Sequence, residues 1–272
     1  MRNKTLLLGA VVIALAGCAS GDKGGAGLAG ALGSLGGSGG SGGSSTDNKV
    51  GAAVDVFKAV SVSDAELKSA TLQLRAAEDK KARVATGNNR HAARLARLTK
   101  KHLNEDGLTL NFKVYLSPQV NANATPDGSI RFYSGLMDMM TDAELLGVIG
   151  HEIGHVKLGH SLSAMRTAYM ASAGRKAAAS SSNVGGALAA SELGALGEAL
   201  VNSQFSQSQE TASDDYGLAF MKKHGYDVKG MEGAFRKLAA LGGKQGGTLE
   251  GMLSTHPEPG KRADRMREMA AK

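Results

Sequence analysis

Tryptophan is absent from this chain, and all aromatic residues together make up only 4% of its 272 positions. A core must therefore rely on Leu, Val, Ala and Met rather than on large rings. A single cysteine, Cys18, excludes any disulfide within the chain, so this is not a disulfide-stapled scaffold. Apolar runs long enough to span a bilayer are missing too. Residues 6–15 fall well short of the roughly 20 that a membrane helix needs, and Glu192 and Glu198 interrupt residues 184–201. Acidic residues number 25 against 32 Lys plus Arg, a formal net charge of +7. That balance suits nucleic acid electrostatically, but no nucleic-acid motif accompanies it, and none is expected as a partner.

The cysteine has a context. Arg2 and Lys4 precede the short apolar run, which ends in Leu15-Ala16-Gly17-Cys18, so residues 1–18 read as a signal peptide. The ending resembles a lipobox, in which Cys18 is lipidated and becomes the mature N-terminus. A lipid anchor attaches a protein to a membrane without spanning it. Ala19 stands where an aspartate would resemble an inner-membrane retention signal, which favours the periplasmic face of the outer membrane. Residues 19–47 are Gly/Ser-rich and read as a flexible tether with no capacity for a core. Residues 48–272 remain for one domain.

Within that domain, His151-Glu152-Ile153-Gly154-His155 carries the chemistry. On a helix, residues four apart share a face, so both imidazoles can reach one ion. Glu152 sits beside the pair, placed to take a proton from water rather than to ligate. Zinc lowers the pKa of water bound to it to about 7. A surface helix with two solvated histidines would spell the same five letters. The surroundings argue against that: Thr141-Asp142-Ala143-Glu144 is a capping box, and Leu145, Leu146, Val148, Ile149 and Ile153 give the helix a broad apolar face. Buried histidines and a buried carboxylate are costly unless something satisfies them. Gly147, Gly150 and Gly154 lower helix propensity, but they permit close packing or a ligand near the backbone.

Catalytic zinc usually has three protein ligands. A third histidine in Gly-x-x-His spacing would fall at Ser161, with Leu158 where glycine is needed; His160 is one position short and is read as structural or solvated. The alternative is a glutamate from a later helix, and Glu210 fits. Asp214, four residues on, can share its face and orient a ligand imidazole through a hydrogen bond.

These residues resemble the gluzincin peptidases related to HtpX and the CAAX prenyl proteases, and within them the LoiP-like periplasmic lipoprotein branch. The likeness runs over residues 50–270. The family's Glu-x-Glu-Ala-Asp appears here as Glu210-Thr211-Ala212-Ser213-Asp214, with ligand and aspartate kept. Asn202-Ser203-Gln204-Phe205-Ser206-Gln207 and residues 133–140 also follow the pattern. The resemblance implies a mainly helical α+β fold with a small sheet, one Zn2+ per chain held by His151, His155 and Glu210, and Glu152 as the base. It implies that an edge strand over Val120 to Ala124, with Asn121, Ala122, Asn123 and Ala124, pairs with extended substrate; an exposed edge with no role is the alternative. Thr255-His256-Pro257 before a helix bearing Arg262 makes His256 and Arg262 further site candidates. His256 would stabilise the oxyanion or cap the zinc, unless it is only a turn residue. Substrates would be unfolded or misassembled envelope proteins, and other periplasmic proteases or assembly factors are possible partners.

The remaining expectations are structural. Residues 50–103 read as helical, and their basic stretch from Lys80 to Lys101 is a solvated face or a contact for anionic head groups or an acidic partner. Leu108, Leu110, Phe112, Val114 and Leu116 alternate as in a strand. Short strands are expected around the Pro126-Asp127-Gly128 turn, and the third-ligand helix over 203–224 should end at Gly225. Phe235, Leu238 and Leu241 form a further helix stripe ending at Gly242-Gly243. The whole reads as a membrane-anchored zinc endopeptidase. A zinc-containing lipoprotein scaffold or chaperone for outer-membrane protein assembly is the alternative.

Overall fold

The computed structural model describes residues 62–178, 204–241, 252 and 255–271. Cys18, the signal and tether segments, residues 50–61, most of the Ala/Gly/Ser-rich stretch and Gly242-Gly243 lie outside the described residues. Helix α1 (Asp64–Lys81) begins at Ser63, whose hydroxyl accepts from the Glu66 amide while Glu66 accepts from the Ser63 amide. The helix does not continue to residue 103. Val84 forms an antiparallel bridge with Tyr115, flanked by bonds from Ala85 N to Val114 O and from Leu116 N to Arg83 O, 2.8 Å each. Gly87, at φ +49°, then turns the chain into α2 (Arg90–Thr99), capped by Asn89. The stretch expected to be helical is thus two helices with a bridged segment between them, because the sheet edge offers residues 83–85 backbone partners that a helix would have to forgo.

Strands β1 (Asn104–Glu105) and β2 (Leu108–Thr109) form a hairpin through Asp106-Gly107, both at positive φ, as a tight two-residue turn requires. The alternating stretch 108–116 is therefore not one strand: it divides at Leu110 into β2 and β3 (Asn111–Tyr115). With β4 (Ala122–Ala124) and β5 (Ser129–Tyr133), β3 makes a second sheet in the order β3-β5-β4, parallel between β3 and β5 and antiparallel between β5 and β4. Successive strand residues face opposite sides. Ile130 and Phe132 enter the main core, while Lys113, Arg131 and Tyr115 turn towards Asp79 of α1. Both faces are covered, which is why Val114 and its neighbour Tyr115 are both buried.

Six further helices follow among the described residues: α3 (Ser134–Met139), α4 (Asp142–Lys157), α5 (His160–Ala178), α6 (Gln207–Lys223), α7 (Lys229–Leu241) and α8 (Pro259–Ala270). The architecture is α+β and mainly helical. Helix α4 is its axis, packed against α6, α7 and β4, with Leu145, Val148, Ile149 and Ile153 buried. Phe235 and Leu238 fill the α7 side of that core, with Leu241 packed against it. The arginines of the basic stretch are not simply a solvated face. Arg94 donates to the Met137 and Met140 carbonyls and to Asp142, which Arg97 also contacts, and Arg90 pairs with Asp138. They clamp α2 onto the end of α3 and the start of α4. Among the described residues no helix is long and apolar enough to cross a membrane.

Candidate active site

Helix α4 starts at Thr141, which accepts from the Glu144 amide while Glu144 accepts from the Thr141 amide, 3.3 and 2.7 Å. Its glycines decide what it can touch. A Cβ on Gly150 would lie 2.8 Å from Phe220 Cδ1 and 3.1 Å from Gly217 Cα; one on Gly154 would lie 3.1 Å from Ser213 Cα. A side chain at either position would force its neighbours apart, so α4 and α6 meet nearly backbone to backbone. His151 and His155 of α4 are thereby brought within reach of Glu210 and Asp214 of α6.

The ligand atoms converge. His151 Nε2 and His155 Nε2 are 3.0 Å apart, and His155 Nε2 is 3.2 Å from Glu210 Oε1. His256 joins them, its Nδ1 3.0 Å from Glu210 Oε1 and 3.4 Å from His151 Nε2. One donor atom from each of the four residues lies within 4.8 Å of all the others, and all four are buried. Burial holds the His155 imidazole well below its usual pKa, against the opposing bond to Glu210, so it offers a lone pair. Burial would raise Glu210, but His256 and His155 outweigh it and hold the carboxylate ionised. Two imidazoles facing each other across 3.0 Å can share one proton at most, whereas an ion between them and the carboxylate satisfies all three. The residues fit a metal.

Glu152 is 1% exposed, and its Oε1 has no hydrogen-bond partner. Burial raises its carboxyl pKa, with His256 and His151 opposing. Around the cluster, Asp214 Oδ1 is 2.9 Å from His151 Nδ1. Arg262 donates to both Asp214 oxygens at 2.9 and 2.6 Å, approaches Glu210 Oε2 at 2.5 Å, and lies over the Phe235 ring at 4.1 Å.

Three contributors were not singled out as site residues. His160 Nδ1 is 3.2 Å from His155 Nδ1 and 3.1 Å from Ser213 Oγ, and Phe205 stacks on the His155 ring at 3.9 Å. Five residues beyond His155, His160 would point elsewhere on a continuous helix. It returns because Gly159, at φ +72°, ends α4 and starts α5 on a new axis. Phe205 and Ser213 lie in segments that follow the family pattern, but no periodicity places their side chains against His155 and His160.

Of the edge-strand residues, Ala122, Asn123 and Ala124 form β4, beside α4, and Asn121 immediately precedes it. Asn121 O accepts from Tyr133 N, and Thr125 N donates to Ser129 O, so the intervening even residues point their backbone groups away from β5. Of these, Ala124 O accepts from Ser161 Oγ at 2.9 Å. Asn123 receives a bond from Arg75 Nη2 at 2.8 Å. Cys18 lies outside the described residues.

A histidine pair on one helix and a glutamate from a second, with a further buried glutamate beside them, make a possible metal site of the kind a metallopeptidase uses. The model for peptidase family M48 matches residues 88–270, and the chain belongs to that family. It is 39% identical to the metalloprotease LoiP of Escherichia coli over 220 residues, covering 80% of this chain and 86% of LoiP. It is 37% identical to the metalloprotease YcaL of the same organism over 227 residues, 83% and 88% of the two chains. A mitochondrial metalloendopeptidase, OMA1 of Arabidopsis thaliana, is 28% identical over 58% of this chain and 31% of its own length.

Proposed function

We propose that this metallopeptidase is a zinc endopeptidase of the cell envelope, anchored by lipid on Cys18 to the periplasmic face of the outer membrane and acting on unfolded or misassembled envelope proteins. The observation that carries the chemistry is the convergence of His151, His155 and Glu210 beside buried Glu152, whose Oε1 makes no hydrogen bond and lies 3.7 Å from His256 Nε2. Two imidazoles and a carboxylate suit zinc. When bound, the ion supplies Lewis acidity towards the scissile carbonyl and the attacking water.

The chain's own residues do the rest. Glu152 takes a proton from that water on its carboxylate and returns it to the leaving amine; its raised pKa makes it a usable acid for the second transfer. Asp214 accepts from His151 Nδ1–H and so keeps the Nε2 lone pair turned inward. Arg262 neutralises Asp214 and Glu210 in a buried site. Strand addition at the β4 edge, once the fully buried Ala122 is uncovered, holds extended substrate by its backbone rather than its side chains, which suits unfolded targets. His256, with Nδ1 3.0 Å from Glu210 Oε1, either caps the cluster at rest or stabilises the oxyanion.

The test is cleavage of an unfolded model protein by the full chain, before and after a chelator. Cleavage abolished by chelation and restored by zinc supports the reading. Cleavage insensitive to chelation contradicts it.

A further inference from the structure

A second cluster of metal-ligating groups lies at the other end of α6. His102 follows α2, Glu105 belongs to β1, and His224 is the C-cap of α6. His102 and Glu105 are 0% and 4% exposed. His102 Nδ1 is 2.9 Å from Glu105 Oε2, and His224 Nε2 is 3.0 Å from the same oxygen. One donor atom from each lies within 4.8 Å of the other two. From Glu210 to His224 the helix rises about 21 Å at roughly 1.5 Å per residue, so this cluster is separate from the first.

We propose that His102, Glu105 and His224 form a second divalent-cation site, suited to zinc, that pins the end of the glutamate-bearing helix to the β1–β2 hairpin. Two imidazoles and one carboxylate are a zinc donor set, and a water from the solvent-facing side of His224 completes four. Around a tetrahedral ion with bonds of about 2.0–2.1 Å, neighbouring ligand atoms are about 3.3 Å apart. The separations from Glu105 Oε2 reach that spacing if the side chains open by a few tenths of an ångström.

The surrounding groups favour it. Tyr226 OH is 2.7 Å from His102 Nε2. With the ion on Nδ1, the His102 proton moves to Nε2 and is donated to Tyr226 oxygen, the orienting bond that metal-bound histidines require. His224 likewise moves its proton to Nδ1, so no proton is lost. Lys223 Nζ engages the other Glu105 oxygen at 2.6 Å and Asp106 at 2.7 Å, leaving Oε2 to the ion. The His102 ring packs edge-on against Phe220 at 4.7 Å, which fixes its plane. The same geometry without an ion is a hydrogen-bonded cluster in which Glu105 accepts from both histidines and Lys223. The experiment separates the two.

The untagged full chain is dialysed against low-micromolar zinc, and bound metal per chain is measured by elemental analysis. The comparison is with His224→Gln, a substitution at a partly exposed helix end, and with Glu105→Gln. Wild type is expected to bind two equivalents, and each variant one fewer, with peptidase activity retained in His224→Gln. Zinc is also expected to raise the melting temperature of wild type more than that of His224→Gln. Stoichiometry unchanged by both substitutions overturns the proposal, even if the variants melt earlier, and so does one equivalent in wild type that His224→Gln still binds. The readout is the lost equivalent, so failure of the first site to bind metal cannot mimic failure of this one.

Discussion

Asp79→Ala is the most demanding test of how the sheet beneath the site is held. Asp79 takes a bidentate bond from Arg131, Nε to Oδ1 and Nη2 to Oδ2, both 2.9 Å, with Lys113 Nζ and Tyr115 OH each at 2.7 Å. The Arg131 side chain is 2% exposed, so removing Asp79 leaves a buried guanidinium without its counter-charge. Breaking a buried pair in this way costs about 3–5 kcal/mol. The lower end applies here, because Arg131 Nη1 keeps the Asn111 and Ile130 carbonyls and Lys113 can turn to water. A loss of about 3 kcal/mol corresponds to roughly 6–12 °C in melting temperature for a domain of this size. Urea denaturation reads it as a lower midpoint at unchanged slope. The pH dependence has a definite sign. Burial would raise the Asp79 carboxyl, but the bonds from Arg131, Lys113 and Tyr115 outweigh it and hold it well below the usual range. A depressed carboxyl contributes fully above its unfolded pKa, about 3.9, and loses that contribution as pH falls further, through the folded value. The gap between wild type and Asp79→Ala is therefore flat from about pH 5 to 8 and narrows below about pH 4. Pairing Asp79→Leu with Arg131→Met should recover most of the loss, since apolar replacement of a whole buried pair is near neutral. A single variant losing under about 1 kcal/mol, the value of an exposed pair, refutes the reasoning.

Other substitutions probe the site itself. Asp214→Ala frees the His151 ring and should weaken metal binding by about 10–100-fold, measured by chelator competition; unchanged affinity removes Asp214 from any orienting role. His256→Ala should raise the cleavage rate if His256 caps the cluster at rest, and a fall in rate would assign it to transition-state support instead. Ala122→Pro deletes an outward amide at a fully buried core position, so the melting temperature should fall, and KM for an unfolded substrate, measured well below that temperature, should rise. An unchanged KM would mean that β4 does not pair with substrate.

Much of the site's frame was legible because its geometry is local. The i, i+4 histidines, the Thr141 capping box and the Gly225 helix end are each set within one or two helical turns. Gly225 closes α6 as expected, with Gly225 N bonded to Lys222 O and Tyr226 N to Met221 O. The α4 glycines were legible as a permission for close approach, but not as an approach to Gly217 and Ser213. What escaped was set by distant partners. Residues 82–89 look helical until β3 offers Val84 a bridge. The arginines of α2 look solvated until Asp138 and Asp142, more than forty residues on, fold against them. His160 looks misplaced until the chain breaks at Gly159. In each instance the deciding contact lies on another element, where periodicity carries no information.

The central claim is that Glu152 is the base of a metal-dependent peptidase rather than a buried structural acid. The most direct measurement compares wild type with Glu152→Gln for cleavage of an unfolded protein and for bound metal on the same samples. With Glu152 as the base, metal stays bound while cleavage falls by at least about 100-fold, the lower range for a positioned proton-transfer group. Cleavage that persists in Glu152→Gln at near the wild-type rate would contradict it.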